Sequence, residues 1–233
     1  KGFIVLKNGR IVMEKYFGTF TADSNWYWAS AGKTATAFLV GIAQQEGLLN
    51  INNKTSQYLG TGWTSLPLAK ENLTGLDDGV PDVDCTLPSC MIYKADAGTR
   101  WAYHNAPYTI LDKVVETASG QSYNAYFQVK IKDKIGMNGL WVPSGYNNVY
   151  YSTARSMARF GLLMLNKGKW NTTSVLSDSN YFNAQVSSSQ TLNNSYGYLT
   201  WLNGKSSHML PGTQFIFNGK LILNAPDDMY AAL

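Results

Sequence analysis

The residues best equipped for chemistry are Ser30 and Lys33, in the run Ser30-Ala31-Gly32-Lys33. Positions three apart share a helix face, so a lysine amine can reach a serine hydroxyl one turn away. A serine is a weak nucleophile until a neighbouring base takes its proton, and a lysine of lowered pKa is one such base. At a helix start the serine also meets free backbone N–H groups and the positive end of the dipole, which favour a developing anion. The plainer reading makes Ser30 an N-cap and Lys33 a solvated first-turn residue. On the pattern alone the two stand level. The overlapping Ala31-Gly32-Lys33-Thr34 imitates the end of a phosphate-binding loop, but Tyr27 stands where that loop needs a glycine. The bulky Trp26-Tyr27-Trp28 also leaves no backbone free to wrap a phosphate.

A second candidate group is Tyr103-His104-Asn105. A tyrosine close to a lysine loses its proton more easily and can act as general base or proton relay. The asparagine amide can donate to a substrate carbonyl. Tyr146-Asn147-Asn148 and Tyr181-Phe182-Asn183 share the spacing, but only the first group immediately precedes a strongly apolar helical pattern. Cys85 and Cys90, in DCTLPSC, are spaced for a small disulfide-closed turn, which implies an oxidising compartment; two separate thiols are the alternative. The histidines, His104 and His208, form no ligand-spaced pair, so neither a metal nor another cofactor is expected.

Rigid elements must hold these groups. FIVLKNGRIVMEKYF reads as a β-hairpin about Asn8-Gly9. From Ser30 onward Ala35, Phe38, Leu39 and Ile42 recur at helical spacing, and Gly47 provides a stop. Residues 50–100 are loop-rich. Helices are expected over 108–119, 122–135 and 153–166. After residue 196, YGYLTWL, TQFIFNGKLIL and MYAAL return to strand composition around Asn203-Gly204 and Asn218-Gly219. The pattern predicts an α+β single domain: a sheet lobe of about 1–48 and 196–233, and an inserted, mainly helical lobe of about 49–195.

The 233 residues are 45% hydrophobic and 15% charged, ample for a core and against disorder. No apolar run approaches the roughly 18 residues of a membrane span. The net charge of +4 is spread along the chain without a basic block, so nucleic acid is not an expected partner. Trp26, Trp28, Trp63, Trp101 and Trp141 are candidates for an apolar cleft or for the core.

At this point a resemblance appears. WASAGKTATAFLVGIAQQEGLLNINNKTSQYL resembles the opening motif of serine hydrolases related to class C β-lactamases, D-alanyl-D-alanine peptidases and family VIII esterases. YHNAPYTILDKVVETASGQSYNAYF resembles their Y-x-N loop and following helix. IGMNGLWV is similar to a later turn, and YSTARSMARFGLLMLNKGKW to a later helix ending in glycine and tryptophan. The likeness covers most of residues 1–200 in the right order. It implies an antiparallel sheet built from both termini and flanked by helices, an α/β sandwich of the β-lactamase/transpeptidase type. It implies that Ser30 is the acylated nucleophile, Lys33 its activating partner, Tyr103 a base or relay and Asn105 a substrate-orienting amide. The Ser30 N–H would be half of an oxyanion hole. The implied substrate is a small molecule or peptide with an ester, amide or β-lactam carbonyl, handled without a metal in a periplasmic or secreted setting. No signal peptide is present in this chain, and no oligomeric state is implied.

The family's third motif, K-T-G or H-x-G, is absent. His208-Met209-Leu210-Pro211-Gly212 is the nearest stretch, with the wrong spacing, and reads as a surface loop. The corresponding strand is expected beyond MYAAL, and ENLTGLDDG stands where a longer helix-forming segment is usual. Segments are therefore expected to be missing near Leu73-Thr74 and after Leu233. The alternative function is a catalytically weak or inactive penicillin-binding-like module that binds cell-wall peptide or a protein partner.

Overall fold

The computed structural model describes residues 1–64, 84–91, 95–96 and 98–233. ENLTGLDDG, with Leu73 and Thr74, lies outside the described residues. The architecture is α+β, with antiparallel strands and packed helices. Strand β1 (Gly2–Lys7) and β2 (Arg10–Tyr16) form the expected hairpin. Asn8 and Gly9 take φ of 51° and 75°, the left-handed pair that a type I′ turn requires. Arg155 grips Glu14 with two bonds of 2.7 and 2.8 Å and ties the hairpin to the helix beneath it.

Strand β3 (Trp26–Tyr27) leads into α1 (Ala31–Gln45). Every residue of α1 from Gly32 to Ala43 is buried, so this helix is the axis of the core rather than an amphipathic cover. Phe38, Leu39 and Ile42, expected on its inner face, are fully buried. Against it pack α3 (Asn105–Ser119) and a π-helical turn (Gln128–Lys132); α2 (Ser56–Leu59) and α4 (Tyr123–Phe127) pack on α3, and α5 (Asp133–Ile135) follows the π-helical turn. Helix α3 begins three residues earlier than predicted because His104 caps it, its Nδ1 accepting from the Ala106 N–H at 3.2 Å. The helix expected over 122–135 is interrupted by the π-helical turn.

Strands β4 (Leu140–Ser144) and β5 (Asn147–Ser152) form a hairpin inside the stretch read as a helical lobe, and β3 joins it on β5. Asn124 explains its place: its side chain bonds both the N–H and the carbonyl of Trp141 at 2.8 Å. Helix α6 (Ala154–Leu165) follows, capped by Thr153. Then come the short pair β6 (Lys169–Trp170) and β7 (Thr173–Ser174), and α7 (Ser179–Gln185).

The C-terminal segment differs most from its strand-like composition. It holds only two-residue strands: β8 (Trp201–Leu202), β9 (Ser207–His208), β10 (Phe217–Asn218) and β11 (Tyr230–Ala231). They pair as β8 with β11 and β9 with β10, while the N-terminal hairpin pairs within itself among the described residues. Asparagines satisfy the backbone in place of ladders. Asn203 Nδ2 donates to the carbonyls of Ile222, Ala225 and Pro226 at 3.1, 3.2 and 2.9 Å. Asn193 Oδ1 accepts from the N–H of Met209 at 3.0 Å.

Helix α7 crosses α1 at Gly41. A Cβ there would stand 2.3 Å from the Tyr181 ring, whose hydroxyl donates to the Ala37 carbonyl at 2.7 Å. The ring is pinned and cannot yield. Gly41→Ala is therefore expected to destabilise the protein by about 1–3 kcal/mol through overpacking. Thermal unfolding should show the midpoint falling by roughly 2–12 °C, with Tyr181→Leu restoring part of the loss.

Candidate active site

The chain enters α1 through a fixed approach. The Trp28 N–H donates to the Tyr150 carbonyl at 2.8 Å, and Trp28 Nε1 donates to Ser152 Oγ at 2.7 Å. Ala29 then takes a left-handed φ of 48°, unusual for a residue with a Cβ, and turns the backbone sharply. Ser30 follows at φ −68° and ψ −14°, and its side chain makes no capping bond. Instead Lys33 Nζ donates to Ser30 Oγ at 2.9 Å. Lys33 is only 3% exposed. Both parts of the N-cap reading, a capping serine and a solvated lysine, are absent.

The Lys33 ammonium sits between two tyrosine rings, 4.8 Å from the Tyr103 centroid and 4.3 Å from that of Tyr108. Burial lowers its pKa from the usual 10.5 to about 8, although the negative charge of Asp84 pulls it upward. Roughly a tenth of the lysine is thereby free amine at pH 7. Ser30 also acts on the Tyr103 hydroxyl, opposing the rise in its pKa, so one serine side chain lies near both candidate proton carriers. Tyr103 departs from the expectation of an acidified phenol. Burial raises its pKa above 10 and outweighs the effect of Ser30, and Lys33 lies over its ring face.

Asn105, at the first turn of α3, donates from Nδ2 to Asp84 Oδ1 at 2.5 Å. A carboxylate only accepts, so the amide must turn its nitrogen toward Asp84. Its Oδ1 is buried without a hydrogen-bond partner. The free end of Asn105 is thus an acceptor, suited to a substrate N–H rather than to a substrate carbonyl. Cys85 and Cys90 are joined in a disulfide that closes the short loop beginning beside Asp84. Asp84 and Tyr108 were not singled out in the sequence. The signal for Asp84 was its place next to Cys85; Tyr108 was visible only as the first residue of an apolar helix.

The other Y-x-N runs serve elsewhere: Tyr146 is exposed in the β4–β5 turn, and Tyr181 braces α1. His208 is a half-buried residue of β9 rather than of a loop, its ring stacked on Phe217 at 5.4 Å. Beside Tyr103 opens a cavity of about 510 Å³, walled by Trp101, Tyr108, Leu192, Tyr196 and Leu199 among others. Of the tryptophans, Trp101 lines this cavity, Trp28 and Trp141 are buried in the core, and Trp26 is exposed. Among the described residues no group of three or more His, Cys, Asp or Glu could hold a metal.

Asp84 gives a direct test of the electrostatics. Its charge opposes the depression of the Lys33 pKa, so Asp84→Asn should move the acid limb of any Lys33-dependent rate to lower pH, below about 8. Titration of that rate from pH 5 to 9 would measure the displacement.

A family model for Beta-lactamase matches residues 2–219. The chain is similar to the teichoic acid D-alanine hydrolase of Staphylococcus aureus, 25% identical over 155 residues, or 56% of this chain and 38% of that protein. It thus spans less than half the length of the curated relatives it matches. The penicillin-binding protein homologue of Pyrococcus abyssi has a similar fold, with a TM-score of 0.62 and 18% identity over 88% of this chain and 60% of that one. So does a D-stereospecific amidohydrolase from Streptomyces sp., with a TM-score of 0.59 and 14% identity over 86% of this chain and 79% of that one. With a serine–lysine pair at the head of its central helix and the family pattern running through residues 2–219, the chain belongs to the Beta-lactamase family.

Proposed function

We propose that the protein is a serine hydrolase that forms an acyl-enzyme on Ser30 and releases it with water. One observation carries the reading: a lysine buried in the core holds its Nζ 2.9 Å from Ser30 Oγ. Burial of a lysine is costly, and a module that only binds has no use for the amine it produces.

In acylation the Lys33 amine takes the Ser30 proton as Oγ attacks the substrate carbonyl carbon. The new C–O bond pushes an electron pair onto the carbonyl oxygen, where the Ser30 backbone N–H is one donor to the oxyanion. The bond to the leaving group then breaks, and the leaving atom receives the proton from Lys33 by way of the Tyr103 hydroxyl. Tyr103 acts as a relay because its burial keeps the phenol protonated. A water molecule then attacks the ester carbonyl, gives its proton to the same groups and frees Ser30. Asn105 Oδ1 accepts from the substrate and orients it.

The substrate class is an ester, amide or β-lactam, and D-alanyl esters are the first to try, given the name of the staphylococcal relative. A periplasmic or secreted setting accords with the Cys85–Cys90 disulfide.

The decisive experiment is intact mass after treatment with a fluorophosphonate and, separately, a fluorescent penicillin. Wild type is expected to gain one adduct and Ser30→Ala none. Lys33→Met should slow labelling by about a hundredfold or more. The wild-type rate should climb about tenfold per pH unit below pH 7, as the Lys33 ammonium loses its proton. Unlabelled wild type, or label retained in Ser30→Ala, would sink the reading and favour a binding module.

A further inference from the structure

Behind the site lies a carboxyl group that the reaction does not use. Asp112, on α3, is 7% exposed. Its Oδ2 accepts from Asn148 Nδ2 of β5 at 2.7 Å. The Tyr123 hydroxyl lies near the carboxyl but gives its proton to Thr36 Oγ1 at 2.8 Å, which leaves Asp112 Oδ1, and Oδ1 of Asn148, buried without a donor. An ionised carboxylate can only accept, so the charged pair leaves two buried oxygens unmet. One proton on the carboxyl supplies the missing donor and removes the buried charge.

This pair belongs to a seam that reaches the catalytic lysine. One turn before Asp112, the Tyr108 hydroxyl donates to the backbone carbonyl of Asn148 at 3.2 Å, and Thr109 Oγ1 donates to Asn147 Oδ1 at 3.2 Å. The head of β5 is thus fixed to α3 by Tyr108, Thr109 and Asp112 together. Tyr108 carries the position forward, since its ring faces Lys33 Nζ.

We propose that Asp112 is a positioning residue: as a neutral carboxylic acid it clamps Asn148 and holds Tyr108 against Lys33, and its ionisation releases that clamp and slows acylation of Ser30. The proposal rests on the Ser30 hydrolase reading.

The groups acting on the charge of Asp112 agree with a proton held there. Burial comes first and raises its pKa from 3.8 to about 7; the Asn148 bond and Tyr123 of α4 lower it, and Glu116 on the same helix raises it. Tyr108 faces it from one turn away. None of these is a cation. The Tyr123 hydroxyl is also engaged with Thr36 of α1, at 2.8 Å. The folded protein therefore keeps a proton that the unfolded chain gives up above about pH 4. The associated stability is complete below that pH and is lost as the pH rises toward about 7. Lys33 acts in the opposite sense, since its amine becomes available only as pH rises toward about 8. The two ionisations together make a bell-shaped profile.

The test uses Asp112→Asn and Tyr108→Phe beside wild type, with fluorophosphonate labelling rates and thermal midpoints from pH 5 to 9. Asp112→Asn should gain about 5 °C or more over wild type between pH 5 and 8. Its labelling should keep rising to a plateau, about threefold or more above wild type at pH 9. Tyr108→Phe keeps the carboxyl but cuts the link, so it should retain the wild-type thermal titration while its labelling loses the inflection near pH 7. It carries the test if Asp112→Asn does not fold. An Asp112→Asn or Tyr108→Phe labelling profile parallel to wild type would overturn the clamp and leave the Ser30 reading standing. Wild type that never labels would overturn that reading and the coupling with it, while the thermal titration still shows whether Asp112 holds its proton.

Discussion

Lys33 is a charged residue in the middle of the core, and the rest of the site answers to that constraint. An ammonium out of water must find partners or give up its proton. Here the compromise is visible in every direction: Ser30 Oγ ahead, the faces of Tyr103 and Tyr108 on the sides, and the charge of Asp84 beyond. No single partner neutralises the charge. A carboxylate paired with it would have held the ammonium, whereas rings and an aspartate that acts only through its charge leave the amine within reach of neutral pH.

Burial also acts in opposite senses on the two candidate proton carriers. Desolvation disfavours whichever form is charged, so it lowers the pKa of an amine and raises that of a phenol. Lys33 and Tyr103 share one buried pocket around Ser30 and are moved in opposite directions by it. The same environment that brings the lysine closer to its free amine keeps the tyrosine protonated. Treating a tyrosine beside a lysine as acidified, as the sequence suggested, leaves out the loss of water, which raises the Tyr103 pKa against the opposing effect of Ser30.

What could be read from residues alone follows from range. The pairing of Ser30 with Lys33 is a property of one helical turn, and the inner positions Ala35, Phe38, Leu39 and Ile42 are a property of one helix; both were legible. The place of Asp84 was not, because it meets Asn105 across 21 residues, at the edge of a disulfide-closed loop. The C-terminal strands were over-read for a related reason. Aromatic residues favour strands because they suit a half-buried surface. Tyr196 and Trp201 find such a surface by packing with Trp101 and Tyr103 at centroid distances of 4.8–6.3 Å, without an extended ladder. Composition reported burial correctly and backbone pairing wrongly.

That aromatic packing has a consequence for the site. Tyr103 precedes α3 in the chain and has no helical bonds to fix it. Trp201 stacks on its ring at 5.8 Å and Tyr196 meets it edge-on at 6.3 Å, while the Trp101 carbonyl accepts from Gln214 at 3.0 Å. Tyr103 is therefore held by residues about a hundred positions later in the chain, and Lys33 by α1 and α3. Ser30 sits where these two supports meet. The geometry of the candidate site depends on the C-terminal segment docking against the helices, although the serine and lysine themselves lie on a single turn.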